Sequence, residues 1–216
     1  MLKIDPEGYT FSALCIVCAA AVFVLYAVTG SLAALVTGVC AFLAAVLVVN
    51  FFRDPERLGP TDTRAVISAA DGVVMDVRAV DAEGFSGGRA LRIAVFMNVF
   101  NVHVNRAPVA GKVCGTVHRP GRKLSAFNRR AEYENEHGDT DIETPAGIVR
   151  VRQIAGIIAR RVVTRVRSGE VLERGQRIGI IRFGSRVDVF LPVSFKPAVK
   201  KGDHVRAGET IIALSG

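Results

Sequence analysis

The stretch that decides the fold runs from Ile178 to Pro192, IGIIRFGSRVDVFLP. Val187, Val189 and Leu191 alternate with Arg186, Asp188 and Phe190, and Ile178, Ile180 and Ile181 are β-rich, so both halves predict strand. Gly184-Ser185 interrupts them, because an interior glycine weakens a strand and marks a bulge, a turn or a close backbone approach. A bulge alone would account for the pair. The same two residues also admit chemistry. Glycine leaves its carbonyl unshielded by a Cβ and tolerates strained backbone. The Ser185 hydroxyl, one residue downstream, can attack that carbonyl once a base takes its proton.

Outward from this stretch, the chain from Ala65 to the C-terminus is a series of short β-rich runs separated by turn residues. They fall at 65–68, 73–77, 91–97, 99–104, 109–117, 148–158, 161–166 and 177–182. No long helical periodicity appears after Phe52. GEVLERGQRIGII (169–181) and GDHVRAGETIIAL (202–214) form an internal repeat with glycine at the first and seventh positions. Gly175 and Gly208 are each expected to close a turn at positive φ. The fold predicted is mainly β, a barrel-like sandwich of short strands with one or two short helices at most.

The N-terminal quarter is different. Residues 11–28 carry no charge, Thr29-Gly30-Ser31 interrupts them, and 32–52 is again apolar apart from Thr37 and Asn50. Each run is near the ~20 residues a helix needs to cross a bilayer. A cleaved signal peptide would have a shorter core and a small-residue cleavage site. The expectation is a transmembrane hairpin over 1–52, a linker over 53–64 and a β domain over 65–216. An even number of crossings puts both ends on one side, and Lys3, Arg53 and Arg57 favour the cytoplasm. The net charge of +8 and pI near 9.8 ask for an anionic partner. Positive mean hydropathy favours a membrane over nucleic acid, and no aromatic-basic RNA signature is present. Cys15, Cys18, Cys40 and Cys114 suggest neither a disulfide framework nor a metal site, since the CxxC lacks a second ligand pair.

Four histidines are available as base. His103, in NVFNVHVNRAP, alternates with valines and is expected on one face of a strand. His118 and His204 read as turn or surface residues, and His137, in ENEHGDTDIETP, as exposed in an acidic loop. Asp71, in Ala-Asp-Gly, reads as an Asx turn with Gly72. Arg119, Arg122, Lys123, Arg129 and Arg130, with Phe127 among them, form the densest basic cluster. It is either a solvated loop or a lipid-facing surface.

FGSRVDVFLP, with the ADG and NVHVNRAP segments in that order, resembles the short, bacterial-type phosphatidylserine decarboxylases, over a span from about Phe52 to the C-terminus. The resemblance implies a membrane-anchored enzyme that cleaves itself between Gly184 and Ser185 into a β chain, 1–184, and an α chain, 185–216, the two staying together as a heterodimer. It implies a pyruvoyl group made from Ser185 as the only cofactor, with no metal. That group forms a Schiff base with phosphatidylserine in an anionic membrane and yields phosphatidylethanolamine and CO2. Asp71 would orient His103, which would take the Ser185 proton, in the logic of an Asp-His-Ser triad. Longer members carry His-x-x-His here, whereas position 106 is arginine, so their division of labour does not transfer. Arg119, Arg122, Lys123 and Phe127 would face the lipid.

The expected location is the inner membrane, with the β domain on the cytoplasmic side. A related serine lipid such as archaetidylserine would use the same residues. A non-enzymatic, membrane-tethered lipoyl-like barrel is the rival outside this class, suggested by the repeat; it lacks a lysine in the hairpin context that carriers modify. Whether the heterodimer assembles further is left open. Arg160-Arg161 is expected to pair with Glu132, Glu134 or Glu136.

Overall fold

The computed structural model describes residues 3–122, 124–125, 130–156, 161–182 and 185–216. They form two compact units, Met1–Pro55 and Glu56–Gly216.

In the first unit, α1 (Tyr9–Thr29) and α2 (Leu32–Phe51) are each long and apolar enough to cross a membrane. Ahead of α1, Asp5 caps a single 3-10 turn: its side chain accepts the Glu7 N–H at 3.0 Å, with Pro6 at the first position. Small residues let the two helices approach. Ala19, Ala34 and Ala45 are buried, and a Cβ on Gly38 would lie 3.2 Å from the Phe23 ring. At the base of the hairpin the Asp5 N–H bonds the Phe52 carbonyl and the Asp54 N–H bonds the Lys3 carbonyl. Both ends of the hairpin therefore lie together.

The second unit is mainly β, as the alternation predicts, with one short α-helix and a 3-10 turn at Ser86–Gly88 among the described residues. Its elements are β1 (Ala65–Ile67), β2 (Gly72–Asp81), β3 (Arg89–Met97), β4 (Val104–Arg106), β5 (Gly111–Arg119), α3 (Ala131–Glu134), β6 (His137–Thr144), β7 (Gly147–Ala155), β8 (Val162–Thr164), β9 (Val171–Leu172), β10 (Arg177–Ile181), β11 (Ser185–Pro192), β12 (Lys196–Pro197), β13 (His204–Val205) and β14 (Ile211–Leu214). Eight strands form one curled antiparallel sheet, in the order β13-β2-β3-β11-β7-β6-β5-β9. Two three-stranded sheets, β1-β14-β12 and β4-β10-β8, complete the unit.

β11 sits in the middle of the large sheet, paired with β3 on one side and β7 on the other. Its alternation sorts the two faces. Val187, Val189 and Leu191 enter the main core with Ile93, Val95, Met97, Val149 and Val151. Burial of such side chains, at roughly 1.5–3 kcal/mol each, holds the sheet against the small ones. The opposite face carries charges matched across strands. Arg150 grips Asp141 and Arg152 grips Asp139 bidentately at 2.6–2.7 Å, and Arg186 holds Asp188 the same way.

The turns of the internal repeat are equivalent. Gly175 and Gly208 adopt φ of 85° and 81°, and their N–H groups bond the Ala107 and Ser68 carbonyls.

Three expectations need correction. The acidic stretch around His137 is a strand, β6, inserted between β5 and β7, because its aspartates find the β7 arginines as cross-strand partners. His137 is accordingly buried, with Nδ1 on the Asn135 carbonyl at 2.8 Å. His103 lies just ahead of β4, not within a strand. Asn98 and Asn101 close a turn before it: Asn101 Oδ1 accepts the Asn98 N–H and Asn98 Oδ1 accepts the Phe100 N–H, both at 2.9 Å. From Glu56 onward the stretch expected as linker belongs to the β unit. Arg174 donates to the Pro60, Asp62 and Ala65 carbonyls, and Arg57 is bonded to Asp71 and Glu209.

Candidate active site

Ser185 opens β11, opposite Met97 of β3 and Ala155 of β7. It is wholly buried, and among the described residues its hydroxyl has no hydrogen-bond partner. A buried hydroxyl without a partner costs about 1–3 kcal/mol, so such an arrangement calls for a reason. Gly184, the other half of the expected cleavage site, lies outside the described residues.

His103 is also wholly buried. Its Nδ1 is 3.0 Å from the Asn101 carbonyl. A carbonyl only accepts, so Nδ1 donates to it, which in the neutral ring leaves the lone pair on Nε2. That is the tautomer a base needs. The backbone that orients it is held in turn by the Asn98–Asn101 turn.

A chain of amides ties the two elements together. Two residues after His103, Asn105 Oδ1 accepts from Gln153 Nε2 at 2.8 Å, and Gln153 Oε1 accepts from the Thr164 hydroxyl at 3.1 Å. Asn105 also directs its Nδ2 at the Met97 sulfur, 3.8 Å away. Asn105 and Gln153 are both fully buried. They link β4, which follows His103, to β7, which flanks Ser185. Neither was singled out from sequence, although Gln153 is the lone amide in β7 and Asn105 is spaced two from His103.

Asp71 lies in the turn between β1 and β2 and is nearly buried. Its Oδ1 accepts the Ala207 N–H at 2.7 Å, and its Oδ2 pairs with Arg57 at 3.0 Å. Arg57 also reaches Glu209 at 3.1 Å. Next to Asp71, Gly72 has φ of 151°, and a Cβ there would stand 2.0 Å from the Phe96 carbonyl oxygen. The ADG spacing thus allows the turn to close against β3, one residue short of the partner of Ser185.

Behind the strand, on the face away from the core, Arg92, Glu132, Arg186, Asp188 and Asp76 form a buried ion network. Burial pushes the Asp188 carboxyl above the usual range, against the lowering pull of Arg186. Burial opposes the Arg92 charge, yet Asp188, Asp76 and Glu132 hold it above the ordinary arginine value. A groove of 670 Å³ opens over this face, lined by Arg78, Arg92, Arg186, Lys201, Phe96 and Asn98, among others.

In the basic cluster, Arg119 ends β5 and is exposed. Arg122 and Arg130 are exposed and pair with Glu134. Lys123, Phe127 and Arg129 lie outside the described residues, as does Arg160. Among the described residues, the carboxylates expected to meet Arg160-Arg161 have these partners. Glu132 meets Arg92 and Arg186, and Glu136 accepts from the Val162 N–H beside His118.

A curled β unit with a buried, unpartnered hydroxyl among the described residues at the head of its central strand, a buried imidazole just ahead of β4, and two apolar helices compatible with membrane association are the features that mark its class. The family model described as phosphatidylserine decarboxylase matches residues 44–213. A protein of Nitratidesulfovibrio vulgaris is 43% identical over 213 residues, covering 98% of this chain and 94% of that protein. One of Geobacter metallireducens is 44% identical over 214 residues, at 98% and 96% coverage. One of Pelobacter propionicus is 46% identical over 175 residues, at 81% and 79% coverage. Each of the three is named phosphatidylserine decarboxylase proenzyme. The chain belongs to the phosphatidylserine decarboxylase family.

Proposed function

We propose that this chain is a precursor that cuts itself between Gly184 and Ser185 and then decarboxylates phosphatidylserine to phosphatidylethanolamine. The observation that carries this reading is the buried Ser185 hydroxyl at the head of the central strand, unpartnered among the described residues. The residues fit a pyruvoyl group at this position. Conversion of Ser185 removes the unsatisfied hydroxyl and leaves a small carbonyl and methyl between Met97 and Ala155.

In the cleavage, the Ser185 oxygen attacks the Gly184 carbonyl carbon while its proton passes to His103 Nε2. The C–N bond of residue 184 to 185 breaks and an ester replaces the amide. Loss of the Ser185 α-proton then breaks the Cβ–O bond, which frees a carboxylate at Gly184. Water exchanges for nitrogen at Cα, and ammonia leaves. His103 handles the proton because the Asn101 carbonyl fixes its tautomer. Asp71 steadies the site from the β1–β2 turn, fastened to Ala207 on the α piece and Arg57 on the β piece.

The pyruvoyl carbonyl supplies an electron sink for loss of CO2 from an amino acid headgroup. His103, whose imidazole titrates nearest neutral pH, would return a proton to the product. The cations Arg78 and Lys201 in the groove, with Arg119 and Arg122 of the basic cluster, suit an anionic headgroup, at about 1 kcal/mol for each near a membrane surface. The hairpin of α1 and α2 would keep the enzyme in the bilayer that holds its substrate, with the β unit on the cytoplasmic side of the inner membrane.

Intact mass of the wild type tests the proposal. Two pieces are expected, residues 1–184 and 185–216, the second lighter than its serine form by one ammonia. Ser185→Ala should stay whole and release no CO2 from phosphatidylserine in mixed micelles. A wild type that stays whole sinks the proposal and leaves the tethered barrel.

A further inference from the structure

The last residue of β7, Ala155, is the cross-strand neighbour of Ser185. In an antiparallel strand the N–H and C=O of one residue point to the same side. The Ala155 N–H bonds the Glu136 carbonyl at 2.9 Å, and its own carbonyl accepts from Asn135 Nδ2 at 2.7 Å. Both groups point away from β11. Ser185 and Ala155 are therefore a non-hydrogen-bonded pair, the kind that brings side chains closest.

Asn135 does more than complete the end of β7. The same amide donates to the Leu124 carbonyl and accepts the Leu124 N–H, each at 2.8 Å. Asn135 is 1% exposed, so both donors and the acceptor oxygen are satisfied within the protein. Around it the chain carrying Gly121 and Arg122 lies alongside 134–136 as a short parallel bridge. The Arg122 N–H bonds the Glu134 carbonyl, and the Glu136 N–H bonds the Arg122 carbonyl. The approach is so close that a Cβ on Gly121 would sit 2.4 Å from the carbonyl carbon of Asn135.

We propose that Asn135 is a positioning residue. Its side chain locks the basic segment at Arg122 and Leu124 to the strand end beside Ser185, so that the surface facing the headgroup and the reacting residue keep one fixed relation. The role assigned to Ser185 rests on the function proposed above; the lock itself does not.

The test uses the full chain in detergent, in the uncut Ser185→Ala form, and compares tryptic cutting after Arg122 with cutting after exposed Arg64. Loss of overall stability raises both rates, whereas loss of the lock raises their ratio. Asn135→Leu should raise the ratio about tenfold, as expected when one or two net hydrogen bonds that hold a local opening are removed. Asn135→Asp, which keeps the acceptor for Leu124 and loses both donors, should fall between. In the Ser185 form, Asn135→Leu should also slow self-cleavage about tenfold. Leu124→Pro removes one of the three bonds without touching Asn135 and should raise the ratio too. A ratio within about twofold of the parent in folded Asn135→Leu or Leu124→Pro overturns the proposal. Failure of both to fold also overturns it, since a residue that only positions can be replaced with the fold intact. The ratios, read in the Ser185→Ala form, stand whether or not the wild type cuts itself.

Discussion

Replacing Gln153 by leucine removes the middle of the amide chain between β4 and β7. The leucine fills a similar volume, so packing is largely kept and the loss is polar. Asn105 Oδ1 and the Thr164 hydroxyl lose their partners. Each orphaned buried group costs about 1–3 kcal/mol, and Thr164, being half-buried, recovers part of its share from water. The sum is about 2–4 kcal/mol, which for a unit of this size lowers the melting temperature by roughly 4–16 °C.

The control is the pair Asn105→Leu with Gln153→Leu. It leaves far less unsatisfied, so it should cost less than the sum of the two single changes, by about 1–2 kcal/mol. Thermal melts of the full chain in detergent, in the Ser185→Ala form, followed by circular dichroism, give these differences. In the Ser185 form the single change should also slow self-cleavage, because β4 carries the approach to His103 and β7 flanks Ser185. Strict additivity in the melts would refute the coupling and leave the amides as incidental neighbours.

Asp188→Asn should change how stability depends on pH. The folded state holds the Asp188 proton more tightly than an unfolded chain with its ordinary 3.8, so this contribution is complete below 3.8 and is lost as pH rises through the raised value. The substitution should flatten that fall in a plot of melting temperature against pH, and an unchanged slope would count against burial as the cause. Gly72→Ala places a Cβ against the Phe96 carbonyl and should cost more than about 3 kcal/mol; a variant that melts and self-cleaves as the parent does would refute the close approach. Arg57→Met strips Asp71 of its cation and should lower stability by about 1–3 kcal/mol, with part of the loss recovered in Arg57→Met/Asp71→Asn. No recovery in the double variant's melt would show that the pair is not coupled.

Much of the β unit was legible because its turns and faces are local. Glycines at repeat positions place both hairpin turns, and the Val187–Val189–Leu191 alternation sorts the faces of β11 without help from the rest of the chain. β6 was not legible in the same way. HGDTDIET has charges where an isolated strand would want apolar residues, and only the arginines of β7, across the turn at 145–146, make those aspartates good strand residues. The spacing was available in retrospect: Asp139 and Asp141 are two apart, as are Arg150 and Arg152.

At the site, Ser185 stood out because a Gly-Ser pair interrupts a β-rich run, and His103 because the chain has only four histidines. Asn105, Gln153 and Asn135 did not, because an amide acquires its meaning only from the groups that saturate it, which come from distant strands. Arg57 was hidden for a related reason. Prolines and charges mark its surroundings as a connector, and nothing local reveals that its guanidinium folds back onto Asp71.

The central place of β11 bears on what happens after a break ahead of Ser185. The short piece would leave the chain covalently but not physically, flanked by β3 and β7 along its length and tied again through β14 to β1. As long as it stays folded, the molecule would scarcely register the cut. Once unfolded, it would be two molecules, and reassembly would depend on their meeting in solution and threading a strand between two others. The uncut chain would refold as one molecule, whereas its product would have to be protected from denaturation. The fold would then be inherited from a precursor state that no longer exists in the finished protein, and turnover, not repair, would be the route by which a damaged copy is replaced.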